Sequence, residues 1–264
     1  MKILFFGDID GKIGRKAVAK ILPRWQKKYR PDIIIANADN VTHGRGMNQK
    51  HFDYLSELGI DIFTAGDHTL ERKEAEALLN SSEIVVLRPF NLEGDFPGRG
   101  EAIFSIRKKK LLVISLLGRV FMDEPVNNPF QAIDSILDKY KSSEYDLAIV
   151  DLHAEATSEK HAFAWYVDGR VNAVFGTHTH VQTADERILP KGTAAISDVG
   201  FCGAIDSVIG VDKKEIINHF LTGKNFVLKI PEFGPAQVNG VLVEFGKNKL
   251  AKKIKRLQEK VIIK

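Results

Sequence analysis

The chain has 264 residues, of which 44% are hydrophobic and 27% charged, and its formal net charge is +4. This composition is typical of a globular protein with a full hydrophobic core and excludes disordered, collagen-like and low-complexity chains. The near balance of 38 basic and 34 acidic residues does not require a nucleic-acid partner. The single cysteine, Cys202, excludes an internal disulfide and any cysteine-based metal cluster, and it suits a reducing compartment.

No part of the sequence is typical of a membrane segment. The longest stretch without Asp, Glu, Lys or Arg is 171–184, which is too short to cross a bilayer and contains two histidines. The first apolar run begins at Ile3, which leaves no room for the three-part layout of a signal peptide. We therefore expect a cytoplasmic protein without a membrane partner.

Short apolar runs alternate with amphipathic stretches, a pattern typical of an α/β chain. The runs alternate poorly within themselves, which predicts strands that are buried on both faces. The predicted strands are 3–6, 33–36, 62–65, 84–87, 111–117, 147–150 and 173–175. The predicted helices are 14–29, 48–58, 70–79, 129–140 and 155–167.

The pattern is weaker in the last third of the chain. Residues 194–198, 226–230 and 238–245 resemble strands, 213–221 a helix, and the tail 251–264 a strand, a helix or both. The basic runs 107–110 and 252–256 are predicted to be solvated strand or hairpin edges, where lysine blocks edge pairing. With no repeat and no linker, we expect one domain over 1–264 with layered, mixed α/β architecture.

Five of the predicted strands lead directly into residues that ligate metals through oxygen or nitrogen. The segments are GDIDG at 7–11, NADN at 37–40, GDH at 66–68, DLH at 151–153 and GTHTH at 176–180. Functional sites of open α/β sheets lie beyond the carboxyl ends of the strands, so strands that share one sheet would bring these segments together. Carboxylate and amide oxygens suit Mg, Mn and Fe, and imidazole suits Zn, Fe, Mn and Ni.

The number of these groups is sufficient for two metal ions, the usual arrangement for hydrolysis of phosphate esters. In that chemistry one carboxylate bridges the ions, and a bridging water loses a proton to become the attacking hydroxide. The ions also neutralise the charge that develops on the phosphate oxygens.

Most of these residues also have a structural interpretation when they are taken singly. Asp8 could be the N-cap of a following turn, 39–40 could be a plain turn, and His153 could be a hydrogen-bonded residue at a strand end. His178 and His180, spaced i and i+2 in one extended segment among small residues, favour metal binding. His43 lies in a Gly-rich loop and could line the site. Surface or packing roles are expected for His51, His161 and His219.

The order of these motifs resembles the GD…GD…GNH…H…GHxH pattern of the calcineurin-like metallophosphoesterases. Three longer segments are similar to one bacterial branch, the YmdB family: DLHAEATSEK at 151–160, GTHTHVQTAD at 176–185 and ILPKG at 188–192. The resemblance extends from Met1 to about Phe245. It implies a four-layer α/β sandwich of the metallo-dependent phosphatase type and phosphodiesterase activity towards 2′,3′-cyclic nucleotides. It also implies a dinuclear site that contains iron, with manganese, zinc or magnesium as alternatives.

The resemblance also implies roles for individual residues. Carried over by position, the metal ligands would be Asp8, Asn40 and His180 for one ion, Asp67, His153 and His178 for the other, and Asp39 as the bridge. His68 would not be a ligand but would lie over the scissile phosphate, stabilise the transition state and protonate the leaving oxygen.

Three positions depart from the pattern of the branch. Asp39 stands where Glu is usual, and Asp67 stands where Asn is usual. The extra negative charge of Asp67 is predicted to favour a more highly charged second ion, such as Fe(III), and to weaken attraction for an anionic substrate. Asp10 replaces an apolar residue, and it is either an extra ligand that competes with Asn40 or a turn carboxylate.

Alternative functions share the same motifs. A phosphomonoesterase or phosphoprotein phosphatase would use the same two-metal chemistry, whereas a metal-binding regulatory protein with weak or lost catalysis would fit the departures at Asp39 and Asp67. A nuclease is disfavoured by the balanced charge. We expect a small nucleotide or phosphodiester substrate and leave a homo-oligomer open. Aromatic residues that could stack on a base, although packing is more typical of each, are Phe121, Trp165 and Phe201.

Overall fold

A computed structural model describes residues 1–81, 86–225 and 227–264. Its first elements are β1 (Lys2–Phe6), β2 (Asp8–Ile9), α1 (Gly11–Tyr29), β3 (Ile33–Asn37), α2 (Gln49–Glu57), β4 (Ile62–Thr64), α3 (Lys73–Asn80) and β5 (Val86–Leu87). The middle elements are β6 (Glu101–Ile106), β7 (Lys109–Leu117), α4 (Pro129–Lys139), β8 (Leu147–His153), α5 (Thr157–Tyr166) and β9 (Ala173–Thr177). The last elements are β10 (Arg187–Ile188), β11 (Ala194–Ile196), β12 (Phe201–Ala204), β13 (Ser207–Val208), β14 (Val211–Asp212), α6 (Lys213–Thr222), β15 (Gly234–Phe245) and β16 (Ala251–Ile263). None of the helices within these ranges is long and apolar enough to cross a membrane.

Two large sheets form the centre of the molecule. The first has the order β2-β12-β15-β1-β3-β4-β5, with β16 paired to β15, and the second has the order β10-β11-β9-β8-β7-β6. In the first sheet β1, β3, β4 and β5 run parallel, and in the second β7, β8, β9 and β11 run parallel. The second sheet is built from a continuous middle stretch of the chain, and the chain then returns to complete the first sheet.

The packing of side chains divides the molecule into four layers. Alternate residues of β1 face opposite sides of the first sheet: Leu4 and Phe6 pack with the core that includes α1, and Ile3 and Phe5 pack between the sheets. The rings of Phe5 and Phe175 meet across that inter-sheet core with centroids 4.8 Å apart. A third core lies between the second sheet and α4 and α5. Because central strands are buried on both faces, they read as continuous apolar runs. The expected four-layer α/β sandwich is confirmed.

The predicted helices are all present, and their ends differ from the prediction by at most three residues. The tail forms one strand, β16, which pairs along its length with β15. The basic run 107–110 lies at the β6–β7 hairpin, and the run 252–256 lies in β16, as expected for edges. Of the predicted strand 84–87, residues 84 and 85 lie outside the described part of the chain, and the remainder is β5.

The prediction of a strand at 226–230 is wrong. Phe226 lies outside the described residues, and 227–230 form neither helix nor strand. This segment does not join a sheet; instead the Lys229 carbonyl accepts the Asp212 N–H at 2.7 Å. The Ile230 side chain packs near Gly11 and Gly44, where a Cβ on Gly44 would lie 2.4 Å from it. The apolar residues of this segment therefore cover the neighbourhood of the GDIDG segment and do not pair as a strand.

Candidate active site

The five motif segments meet on one side of the molecule, but they come from two sheets. In the first sheet Asp8 follows β1, the NADN segment begins at the last residue of β3, and the GDH segment follows β4. In the second sheet His153 is the last residue of β8, and the GTHTH segment begins within β9 and continues past its end. The segments therefore meet although their strands do not share one sheet. The two parallel sets stack face to face with their carboxyl ends together, so both rims contribute side chains.

Asp67, His153 and His178 form the tightest group. Asp67 Oδ1 lies 2.9 Å from His153 Nε2 and 3.4 Å from His178 Nδ1. The two ring nitrogens are 3.1 Å apart. One ligand atom from each residue falls within 4.8 Å of the others. Nitrogen and carboxylate atoms that converge in this way fit a transition-metal ion.

Asp39 lies beside this group. Its carboxylate accepts the backbone N–H groups of Gly66 at 2.6 Å and His68 at 3.1 Å, and Oδ2 lies 3.7 Å from His153 Nε2. Gly66 is required here because a Cβ at that position would lie 2.4 Å from the His153 ring. Asp39, Asp67 and His68 form a second set of atoms within 4.8 Å of one another. Asp39 therefore lies where one carboxylate could contact two ions.

Asp8, Asn40 and His180 approach each other at the other end of the cluster. The Asn40 amide nitrogen donates to the Gly44 carbonyl at 3.0 Å, which turns its oxygen towards His180 Nε2 at 3.4 Å. Asp8 is fully buried, and its Oδ1 has no hydrogen-bond partner among the described residues. That oxygen lies 3.9 Å from His180 Nε2. A buried, unpartnered carboxylate oxygen is costly unless a cation compensates it, so this end also fits a metal.

The electrostatics of the cluster favour added positive charge. Burial alone would lower the pKa of His153, but the Asp67 hydrogen bond and the charges of Asp39 and Asp8 raise it to about 10. Burial raises the pKa of Asp39 above its usual range. Burial also acts to raise the pKa of Asp67, but hydrogen bonds from His153 and His178 hold it well below its usual range. Several carboxylates buried together are stable only with cationic partners.

Asp10 is the N-cap residue of α1, yet its side chain makes no capping hydrogen bond. It is 2% exposed, and its Oδ2 has no hydrogen-bond partner in the described part of the chain. Burial raises the pKa of this carboxyl to about 6. Asp10 lines the same cavity as Asn40 and His180, so it is available as an additional ligand.

A network of buried polar side chains orients His153. The sequence alone does not identify this network. Thr177 Oγ1 donates to Asp151 Oδ1 at 2.7 Å and accepts His153 Nδ1–H at 2.9 Å. His153 Nε2 is therefore directed at Asp67. The Asn37 amide also donates to Asp151 at 2.9 Å, and burial raises the pKa of Asp151 to about 6. The available signal was the spacing of Asp151 and His153, which places both side chains on one face of β8.

The sequence predicts that the two histidines of GTHTH lie in one extended segment, and this prediction is wrong. β9 ends at Thr177, and both His178 (φ 95°) and His180 (φ 64°) occupy the left-handed region. The turn sends the two rings to different ends of the cluster. His180 donates from Nδ1 to the Ile209 carbonyl at 2.8 Å and stacks on Phe201 with centroids 5.0 Å apart. Its Nε2 therefore faces the side of Asn40 and Asp8.

A cavity of about 290 Å³ opens above the cluster. Arg45 and His68 lie on its wall, and the apolar residues Leu228 and Ile230 lie at one side. His68 Nδ1 is held by Glu71 Oε1 at 2.8 Å. His43, which the sequence left open, lines a smaller adjoining cavity with Lys12. The expected ligands Asp39, Asn40, His153, His178 and His180 border the larger cavity together with His68.

Comparison with known proteins identifies relatives of this chain. The family model described as YmdB-like protein matches residues 4–257. A Bacillus subtilis (strain 168) relative named 2′,3′-cyclic-nucleotide 2′-phosphodiesterase is 41% identical over 259 residues, 97% of this chain and 96% of its own length. The crystal structure of a Mycoplasma pneumoniae protein titled a novel phosphatase superposes with a TM-score of 0.92 at 38% identity, over 98% of this chain and 93% of that one.

A more distant structure shows how widely the architecture is shared. The NAD nucleotidase of Haemophilus influenzae matches all of this chain and 56% of its own length, with a TM-score of 0.59 and 13% identity. At that identity the likeness concerns the fold alone. With a family model that matches nearly the whole sequence, and with relatives near 40% identity, the chain belongs to the YmdB-like family.

Proposed function

We propose that this protein is a metal-dependent phosphodiesterase that hydrolyses 2′,3′-cyclic nucleotides at a dinuclear centre. The observation that carries the proposal is the convergence of Asp67, His153 and His178 within 4.8 Å, beside the buried and unpartnered Asp8 Oδ1. The name of the Bacillus subtilis relative supports this substrate class.

The chain offers two sets of ligands on either side of Asp39. One ion would be held by Asp8, Asn40 and His180, the other by Asp67, His153 and His178, with Asp39 contacting both. We propose iron at both positions, with manganese, zinc or magnesium as alternatives, because mixed carboxylate and imidazole sets suit these ions. When bound, such ions polarise phosphate oxygens and lower the pKa of water.

The protein's own groups position the substrate and move a proton. Glu71 holds His68 Nδ1, so Nε2 is left for the cavity, where it would donate a proton to the leaving ribose oxygen. Arg45, on the cavity wall, would contact the phosphate of the substrate. The Asp151–Thr177 pair keeps His153 in one tautomer with Nε2 directed inward.

The test combines metal analysis with two substrates. The purified protein is expected to retain two metal ions per chain and to hydrolyse 2′,3′-cyclic AMP and bis-p-nitrophenyl phosphate. His178→Ala should lose one ion and nearly all turnover. His161→Ala is the matched control, because His161 pairs with Asp185 outside the cluster. A His178→Ala protein with parental rates would refute the assignment, and a metal-loaded parent without hydrolysis would favour the regulatory alternative.

A phosphomonoesterase is the second candidate, because the Mycoplasma pneumoniae relative is titled a phosphatase. The same residues would serve it, because in both reactions water attacks the phosphorus and a ribose oxygen leaves. A monoester would release inorganic phosphate, whereas the cyclic diester would keep its phosphate on the second ribose oxygen. Turnover of 2′,3′-cyclic AMP and of adenosine monophosphates by the same preparation separates the two. The phosphodiesterase proposal requires the larger kcat/KM for the cyclic substrate.

A further inference from the structure

A second cavity of about 280 Å³ adjoins the candidate active site. His180 and Ile209 line both cavities, and His180 Nδ1 donates to the Ile209 carbonyl at 2.8 Å. The two spaces therefore adjoin at these two residues. A ligand with its phosphate at the metal ligands could extend past Ile209 into the second cavity.

The lining of this second cavity is rich in amides. Four amide side chains border it, and they are Gln182, Gln237, Asn239 and Gln258. No described residue that lines it is Asp, Glu, Lys or Arg. Such a surface does not attract an ion, but it matches a neutral group that carries both donors and acceptors. Nucleobase edges have this character, and Asn and Gln are the side chains that pair with them in two-point contacts.

The amides are held in place, and one donor is left without a partner. The Gln182 amide nitrogen donates to the carbonyls of Val199 at 3.1 Å and Gly240 at 3.2 Å, which fixes its plane. Gln258 Nε2 donates to Asn239 Oδ1 at 3.1 Å. Asn239 is fully buried, and its Nδ2 has no hydrogen-bond partner among the described residues. That nitrogen faces Gly200, where a Cβ would lie 2.7 Å from it, so the amides that a ligand can reach most readily are those of the half-buried Gln237 and the exposed Gln258.

Exposed apolar residues border the amide-lined cavity, and they could pack against the flat face of an aromatic ring. Ile209 is 52% exposed and Val181 is 59% exposed, and both border the cavity. Ile209 also has a φ of 45°, an unfavourable conformation for a β-branched residue, and such strain is found most often at ligand sites. Phe201 is not available for stacking, because it is 4% exposed and packs under His180.

We propose that this amide-lined cavity, bordered by Gln182, Gln237, Asn239 and Gln258, is the subsite for the nucleobase of the substrate. The inference rests on the proposed function, since it assumes that the phosphate lies at the metal ligands. The amides contact the edge of the base, and Ile209 and Val181 contact its faces. Base recognition here lowers KM without taking part in the bond cleavage.

The test compares a substrate that has a base with one that lacks it. Gln237→Leu and Gln258→Leu each remove an amide of similar size, and Gln258 is exposed, so folding should be preserved. Gln131→Leu, at an exposed position of α4, is the control. KM for 2′,3′-cyclic AMP should rise about three- to tenfold in each cavity variant, the loss expected for a neutral hydrogen bond. Their kcat, and their kcat/KM for bis-p-nitrophenyl phosphate, should stay at the parental value.

Equal changes for both substrates, or no change in KM for any of the four 2′,3′-cyclic nucleotides, would overturn the subsite. Adenosine binding, measured by NMR titration of the holoprotein, provides a readout that does not need turnover. The cavity variants should weaken it and the control should not. A parent that fails to hydrolyse 2′,3′-cyclic AMP but binds adenosine refutes the proposed function alone, and a parent that does not bind adenosine refutes the subsite.

Discussion

Lys160 and Asp198 form an ion pair in the protein interior, with Nζ 2.8 Å from Oδ2 and side-chain exposures of 3% and 1%. The same Asp198 oxygen accepts the backbone N–H of Thr179 at 3.1 Å and its hydroxyl at 2.7 Å. Thr179 lies between His178 and His180, whose backbones are in the left-handed region. The ion pair therefore holds the turn that carries both histidines.

Replacement of Lys160 by Met should weaken this turn. The substitution leaves the buried Asp198 carboxylate without its cation, and removal of one partner of a buried pair costs about 3 to 5 kcal/mol. We expect a loss of that size in the free energy of unfolding in urea, together with reduced metal retention after dialysis. Arg170→Met is the control, because its pair with Asp134 is exposed and should contribute about 1 kcal/mol or less. Parental stability and metal content in Lys160→Met would show that the pair does not support the turn.

The hydroxyl of Thr177 is expected to determine metal affinity through His153. Thr177→Val keeps the shape of the side chain but removes the atom that bridges Asp151 and His153 Nδ1. Loss of such a supporting hydrogen bond typically weakens metal binding about 10- to 100-fold. Competition with a chelator measures this affinity. Thr193→Val is the control for a buried hydroxyl elsewhere, since Thr193 Oγ1 donates to the Val171 carbonyl. Equal affinities for the two variants would contradict the expectation.

The charge of Asp67 should affect both the ion and the substrate. Asp67→Asn removes one negative charge from a cluster that also holds Asp8 and Asp39, so attraction for an anionic substrate increases. We expect a lower KM for 2′,3′-cyclic AMP and a smaller fraction of Fe(III), read by steady-state kinetics and by electron paramagnetic resonance. The kinetic comparison is made at matched metal content. A variant with unchanged metal content, oxidation state and KM would disprove the effect of the carboxylate.

His51 should make the fold sensitive to acid. Burial, followed by the nearby charge of Arg15, lowers its pKa to about 4 from an ordinary value of 6.5. Between these two values the unfolded chain binds more protons than the folded chain, so the folded state loses stability as the pH falls from 6.5 towards 4. Above pH 6.5 the ring is neutral in both states, and this loss is absent.

The measurement is urea unfolding of the parent and of His51→Gln at pH 7.5 and pH 4.5, with a chelator present throughout. The variant should lose less stability than the parent between the two pH values. An equal loss in both proteins would mean that the ring titrates in the folded state as it does in the unfolded chain.

The sequence was informative about local structure and about which side chains carry the chemistry. The apolar runs around Phe5 and Ile35 predicted strands with two buried faces, and the residues after them predicted a polar rim. The order in which the strands pair could not be predicted, because hydrophobic periodicity indicates which residues are buried but not which strand lies beside which. β15 lies between β1 and β12 and pairs Gly240 with Phe6, a contact between distant parts of the chain. The two-sheet origin of the site follows from such pairings.

The tail and the polar network around Asp151 are two further features that the sequence pattern alone does not determine. Residues 251–264 alternate Lys with apolar residues in a pattern that fits a strand or a helix, and only pairing with β15 decides between them. The sequence places Asp151 in a motif two residues before the possible ligand His153. The hydrogen bonds of Asp151 with Asn37 and Thr64 exist because two sheets face each other, and its hydrogen bond with Thr177 exists because β8 and β9 pair. A linear pattern contains neither relationship.

The contact between the rings of Phe5 and Phe175 has a consequence beyond packing. Phe5 precedes Asp8 by three positions in one sheet, and Phe175 precedes His178 by three positions in the other. The aromatic pair thus acts as a spacer that sets how far apart the two rims stand. A smaller side chain at either position would let the two sheet edges shift relative to each other. The distance between Asp8 and His178 therefore depends on the packing of the inter-sheet core as well as on the polar residues themselves.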